Sequence, residues 1–138
     1  MTQINAYLKF NGNCREAMAF YKNCFGGELT LQTVGNSPMA EFMPPEASES
    51  IMHASLISGG ITLLASELTE PEGITQGNTV YLCINSENKE EVKTFFERLS
   101  AEARFISPLQ DTPWGAFGVI TDRFGFGWYL NYAVKTQA

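Results

Sequence analysis

The sequence predicts an α+β protein built from two copies of one unit, strand, helix, strand, strand, strand. Three observations carry that prediction. Residues 4–10 alternate Ile4, Ala6, Leu8 and Phe10 against Asn5, Tyr7 and Lys9, the period-two pattern of a strand with one apolar face. An amphipathic helical stripe follows the first strand of each half, with Tyr21 and Phe95 at matching points of the two helices. Each half also closes on a hairpin signal, Ser58-Gly59-Gly60 in the first and Asp122-Arg123-Phe124-Gly125 in the second.

In the first half, Asn13 followed by Glu16 reads as a helix N-cap with its reciprocal partner. Ala17, Phe20, Tyr21 and Cys24 then share a stripe until Gly26-Gly27 ends the helix. Residues 28–34 alternate as a strand. Residues 35–50 contain Pro38, Pro44 and Pro45 and are expected to form a long irregular loop on the rim of a site, with Met39, Phe42 and Met43 placed to close over a ligand or to anchor the loop. Residues 51–57 and 61–66 form the hairpin strands. Residues 79–84 open the second half, and the polar run Asn85-Ser86-Glu87-Asn88 leads into a helix with Val92, Phe95, Phe96 and Leu99 on its apolar stripe. A short strand at 104–107, a proline-bounded loop to Trp114, and strands at 115–121 and 126–132 complete it. The modules are thus about 1–67 and 78–134, joined by a polar linker at 68–77, and they are expected to form one domain, since about 65 residues is marginal for an independent core.

Alternation assigns faces. The helix side of the sheets takes Ile4, Ala6, Leu8, Phe10, Val80, Leu82 and Ile84, together with Ala54, Leu56, Leu63 and Ala65. The other side receives Asn5, Tyr7, Lys9, Thr79, Tyr81 and Cys83. If Gly59-Gly60 is a two-residue turn, His53, Ser55, Thr62, Leu64 and Ser66 join them. A mixed polar and aromatic face of this kind suits a ligand cavity, and a solvated sheet face has the same composition.

Composition excludes several classes. The chain has 138 residues, 44% of them hydrophobic, with 10 Phe, 5 Tyr and 2 Trp, enough for one sizeable core. No apolar run approaches the roughly 20 residues of a membrane span. A net charge of −6 with nine scattered Lys and Arg disfavours nucleic acid. Residues 1–5 show no basic patch before an apolar stretch, so a cytoplasmic location is expected. Cys14, Cys24 and Cys83 lack metal-site spacing and suit reduced packing. No GxSxG, GxxxxGK[ST] or GxGxxG motif occurs.

The duplicated module, the run Tyr7-Leu8-Lys9-Phe10-Asn11-Gly12-Asn13-Cys14-Arg15-Glu16-Ala17 leading into Phe20-Tyr21 and Phe25-Gly26-Gly27, the Met52-His53-Ala54 strand, and Trp114-Gly115 before Thr121-Asp122-Arg123-Phe124-Gly125 resemble the PhnB-like branch of the glyoxalase, bleomycin-resistance and extradiol-dioxygenase (vicinal oxygen chelate) superfamily. The resemblance implies two modules forming an open barrel-like cup, in a homodimer. Metal-dependent members place His or Glu ligands on the first and last strand of each module. Those points fall near Asn5, Leu64, Thr79 and Tyr129, with Tyr7, Ser66, Tyr81 and Asn131 as same-face neighbours, and none is a strong ligand. The expectation is therefore no metal and no cofactor.

The reading that follows is a small-molecule binding protein whose aromatic-lined cavity uses Asn5, Tyr7, Ser66, Thr79, Tyr81, Trp114 and Tyr129 and suits a flat or cationic ligand. Trp128, in an alternating strand, reads as core. The alternative is a glyoxalase- or dioxygenase-type enzyme on a small oxygenated substrate, with His53 as general base. A metal-dependent form of it needs His53 plus carboxylates from Glu41, Glu46, Glu49 or Glu67.

Overall fold

A computed structural model describes residues 2–67 and 73–134. The described residues divide between Thr75 and Gln76 into two units. Each contains one helix on one four-stranded mixed sheet.

The first unit runs β1 (Ala6–Lys9), α1 (Cys14–Phe25), β2 (Glu28–Thr33), β3 (Ile51–Ser58) and β4 (Ile61–Ser66), in sheet order β1-β4-β3-β2. Strand β1 is parallel to β4, and the other pairs are antiparallel. Ser58 pairs with Ile61, so Gly59-Gly60 is the expected two-residue turn. Helix α1 packs on β2, β3 and β4. Its Ala17, Met18, Tyr21, Cys24 and Phe25 are buried, as are Leu8, Ala54, Leu56, Leu63 and Ala65 of the sheet. Burial of each larger apolar side chain among these is worth about 1.5–3 kcal/mol, which holds a short helix that would be marginal alone.

The second unit repeats the order with β5 (Leu82–Ser86), α2 (Lys89–Leu99), β6 (Phe105–Thr112), β7 (Gly115–Thr121) and β8 (Gly127–Ala133), as sheet β5-β8-β7-β6. Val92, Phe96 and Leu99 of α2 are buried with Ile84, Ile120, Trp128 and Leu130. Asn88 caps α2, its Oδ1 accepting the Glu91 N–H at 3.1 Å.

Several local expectations are corrected. Asn13 makes no side-chain cap; instead the Glu67 carboxylate, from beyond the end of β4, accepts the Cys14 N–H at 3.0 Å and the Ile51 N–H at 2.6 Å. A distant acid fills the place assigned to the local pair and ties the helix start to the head of β3. Strand β1 begins at Ala6 and β5 at Leu82, because pairing with β4 and β8 starts there, so Ile4 and Val80 are 99% and 79% exposed rather than helix-facing. No loop separates β6 from Trp114: β6 continues to Thr112 through an irregularity between Ser107 and Gln110 that accommodates Pro108 on an edge strand. Residues 35–50 hold no strand, as expected, but short 3₁₀ turns at Val34–Asn36, Pro38–Phe42 and Pro45–Ala47 structure them. Of the predicted linker, residues 68–72 lie outside the described residues, and 73–77 form neither helix nor strand.

The Asp122–Gly125 turn contains a feature with no counterpart in the sequence reading. Asp122 is fully buried; its Oδ1 accepts the N–H groups of Phe124 (2.8 Å) and Phe126 (3.1 Å), and its Oδ2 accepts Trp128 Nε1–H at 2.9 Å. Trp128 is core, as read from alternation, and the turn is locked to it.

Candidate functional site

Of the candidate side chains, Tyr7, His53, Ser66 and Tyr129 belong to strands, on the rows of the sheets that alternate with the helix-facing residues, whereas Asn5, Thr79, Tyr81 and Trp114 lie outside the strands. In the first unit, pairing brings Tyr7 beside Leu64, Leu64 beside Ser55, and Ser55 beside Thr30. The neighbouring row contains Lys9, Ser66, His53 and Gln32. The rings of Tyr7 and His53 lie 6.1 Å apart at 43°, and Lys9 Nζ sits 5.5 Å over the Tyr7 ring. Opposite β2, Gln32 pairs with His53 but Thr33 with Ile51, so Met52 is an extra residue. That β-bulge explains why Ile51 and Ala54 are both buried while Met52 and His53 between them are not. Bulges re-aim side chains in this way, often next to sites.

Ser66 occupies the predicted face but is 2% exposed, and its carbonyl accepts the Phe10 N–H. Asn5 is exposed just before β1. Glu67, one of the carboxylates a metal-dependent form would need beside His53, is engaged by two backbone N–H groups.

The second unit brings aromatic groups closer together. The Tyr81 and Tyr129 rings are 4.9 Å apart, and Phe117 lies 5.4 Å from Tyr129 at an interplanar angle of 24°. These distances fall within the range in which ring pairs attract beyond simple burial. Phe117 is 45% exposed, so this three-ring ladder presents an apolar surface on the side of the sheet away from α2. Beside it, Asn131 Nδ2–H donates to Asn85 Oδ1 at 3.1 Å. Cys83, paired with Tyr129, is exposed. Thr79 is exposed ahead of β5, and Trp114, 72% exposed, stands at the tip of the β6–β7 hairpin rather than within the ladder.

Phe117, Asn85 and the paired role of Asn131 are absent from the sequence-level site. The available signal was the alternation of Ala116, Gly118 and Ile120 toward α2, which sends Phe117 to the opposite face. Their mutual contacts depend on strand order, which alternation does not give.

The donor set fits a divalent metal poorly. Asn5, Leu64, Thr79 and Tyr129 offer an amide, an alkyl group, a hydroxyl and a phenol. Among the described residues, no three His, Cys, Asp or Glu side chains gather as a binding set. Four glutamates, Glu16, Glu46, Glu49 and Glu67, do line a cleft of about 530 Å³ at the start of α1, with Arg15 among them. His53 is not part of that cleft. No described helix is long and apolar enough to cross a membrane.

Residues 3–130 match the model of the Glyoxalase/Bleomycin resistance protein/Dioxygenase superfamily. Protein YjdN of Escherichia coli K12 is 31% identical over 147 residues, covering 97% of this chain and 97% of its own. The crystal structure of protein PA1353 from Pseudomonas aeruginosa is 34% identical and superposes with a TM-score of 0.82, over 98% of this chain and all of that one. The PhnB protein from Bacillus cereus, at 23% identity, shares the fold with a TM-score of 0.70, over 96% of this chain and 100% of its own.

Proposed function

The chain belongs to the Glyoxalase/Bleomycin resistance protein/Dioxygenase superfamily, and from that premise we propose that it binds a small planar organic molecule against the Tyr81–Tyr129–Phe117 ladder, without a resident divalent metal. The observation that carries this reading is a partly exposed surface of three adjoining rings, Phe117 stacked on Tyr129 and Tyr81 tilted against it, beside an amide pair on a helix-free face. Such a surface attracts flat apolar groups and offers polar groups to orient them. Tyr7, His53 and Lys9 form a second, smaller patch on the first sheet. In this reading the two units work as one domain, the protein acts in the cytoplasm, and two copies pair through apolar side chains left exposed at sheet edges, among them Phe105 and Ile106 of β6.

The test is a titration with 2-naphthylmethanol followed through the ring resonances of Tyr81, Tyr129 and Phe117. Saturable shifts of these resonances, weakened about tenfold by Phe117→Ala, are expected. Absence of saturable shifts overturns the reading. Metal analysis of protein purified without chelator is expected to give no stoichiometric transition metal; one per chain with His53 among its ligands overturns the metal-free part. Light scattering is expected to give about twice the 15.3 kDa chain mass.

A second reading, an enzyme using His53 as general base, is favoured by the bulge that presents His53 beside Tyr7. Turnover of a small oxygenated substrate that His53→Ala abolishes with the fold intact would establish it.

A further inference from the structure

We propose that the ligand carries an oxyanion, a carboxylate or a phosphate, held in a cleft of the second unit by Arg104; this rests on the aromatic ladder being the binding surface. The cleft, about 500 Å³, is lined by Gln76, Asn78, Tyr81, Arg104 and Thr121 over the glycines 77, 125 and 127. Four features lead from it to an anion.

First, its charge differs from that of the chain. In a protein of net charge −6, the described residues that line this cleft include no carboxylate, whereas those that line the cleft at the start of α1 include four. Among the described residues, the acids nearest in sequence are engaged elsewhere: Asp122 in its turn and with Trp128, and Glu102 in an ion pair with Arg123.

Second, among the described residues Arg104 is a cation with no carboxylate paired to it. Its backbone N–H is held by the Thr121 carbonyl at 2.9 Å, but among the described residues its guanidinium forms no ion pair. A guanidinium fork matches the two oxygens of a carboxylate or phosphate.

Third, the glycines make room for these side chains. A Cβ on Gly125 would lie 2.7 Å from Arg104 Nη1 and would collide with Gln76 Oε1, so both polar groups converge over that residue. Gln76 is anchored there by donating Nε2–H to the Phe124 carbonyl at 2.9 Å. A Cβ on Gly127 would lie 2.5 Å from the Tyr81 ring, so the ring rests on bare backbone.

Fourth, the cleft adjoins the ladder. Thr121 and Gly127 are a register pair two residues along their strands from Val119 and Tyr129, hence on the same face. Tyr81 both lines the cleft and lies 4.9 Å from Tyr129, its ring tilted by 34°. A molecule whose flat body covers Tyr129 and Phe117 therefore has its polar end over Tyr81 toward Arg104. The overall acidity suggests a cationic ligand; the local charge here selects an anionic one.

The experiment compares four probes sharing one ring system: 2-naphthoate, 2-naphthyl phosphate, neutral 2-naphthylmethanol and cationic 2-naphthylmethylamine. Binding is read from the Tyr81 and Phe117 resonances of wild type, Arg104→Gln and Arg104→Lys at low salt. The expected result is that at least one anion binds wild type about tenfold more tightly than the alcohol, that Arg104→Gln removes this preference without changing alcohol affinity, and that Arg104→Lys keeps part of it. The stronger of the two anions identifies carboxylate or phosphate as the group recognised. Equal affinities for all four probes, a preference for the amine, or an anion preference that survives in Arg104→Gln overturns the oxyanion site while leaving the ladder standing. Failure of every probe to bind overturns both.

Discussion

Replacing Asp122 with Asn tests the lock between the β7–β8 turn and the core. The carboxylate accepts from two backbone N–H groups on Oδ1 and from the Trp128 indole on Oδ2. An amide has the same shape but one acceptor oxygen. If that oxygen keeps Phe124 and Phe126, the new NH₂ faces the indole N–H, a buried donor against a donor; if it turns to the indole, two backbone donors are lost. The first arrangement costs less, about 1.5–3 kcal/mol for a hydrogen bond to a charged group replaced by an unsatisfied buried donor. At this chain length that lowers Tm by roughly 6–12 °C. The assay is urea unfolding followed by far-UV circular dichroism, in a double-mutant cycle with Trp128→Phe. The Phe variant carries its own packing loss but removes the indole N–H, so adding Asp122→Asn to it is expected to cost about 1–2 kcal/mol less than in wild type. A cost below about 0.5 kcal/mol in wild type, or the same cost in both backgrounds, would refute the reasoning.

Glu67→Ala leaves the Cys14 and Ile51 N–H groups without their carboxylate, and an expected loss of about 2–3 kcal/mol, measured by the same unfolding curves, exceeds that of Asn13→Ala, whose side chain caps nothing. In native protein at pH 8, a thiol reagent is expected to label Cys83 quickly and the buried Cys14 and Cys24 only after unfolding; fast labelling of Cys14 contradicts its placement. Burial, reinforced by the Glu67 charge, pushes the Cys14 thiol up to about 12, from an ordinary value of 9.0. The native state therefore keeps this proton where the unfolded chain loses it, so Cys14 contributes a loss of stability as pH rises above about 9, continuing toward 12. Stability measured between pH 8 and 10.5 is expected to fall less steeply in Cys14→Ala than in wild type, and identical slopes contradict the assignment.

Periodicity made much of the fold readable. Alternation in residues 4–10 and the helical stripes at Ala17–Tyr21–Cys24 and Val92–Phe96–Leu99 are local signals, and the faces they imply agree with the burial of Leu8, Val92, Phe96 and Leu99. The same alternation set Tyr7, His53 and Tyr129 away from the helices. Where local chemistry competed with a distant partner, local reading failed. The Asn13–Glu16 pair lost the helix start to Glu67, and Pro108 did not end β6 because an edge strand tolerates a missing donor.

The sequence by itself determined the order of elements, the duplicated α+β plan and the face on which most side chains lie, because each follows from the 2.0- and 3.6-residue periods of a single segment. Only the tertiary structure decided which side chains meet. Tyr129 lies between Tyr81 and Phe117 because β8 is central in its sheet, Met52 bulges because β3 carries one residue more than β2, and Arg104 shares a cleft with Gln76 because both approach the Gly125 turn. Such contacts depend on register and strand order between segments far apart in the chain, which no local period encodes.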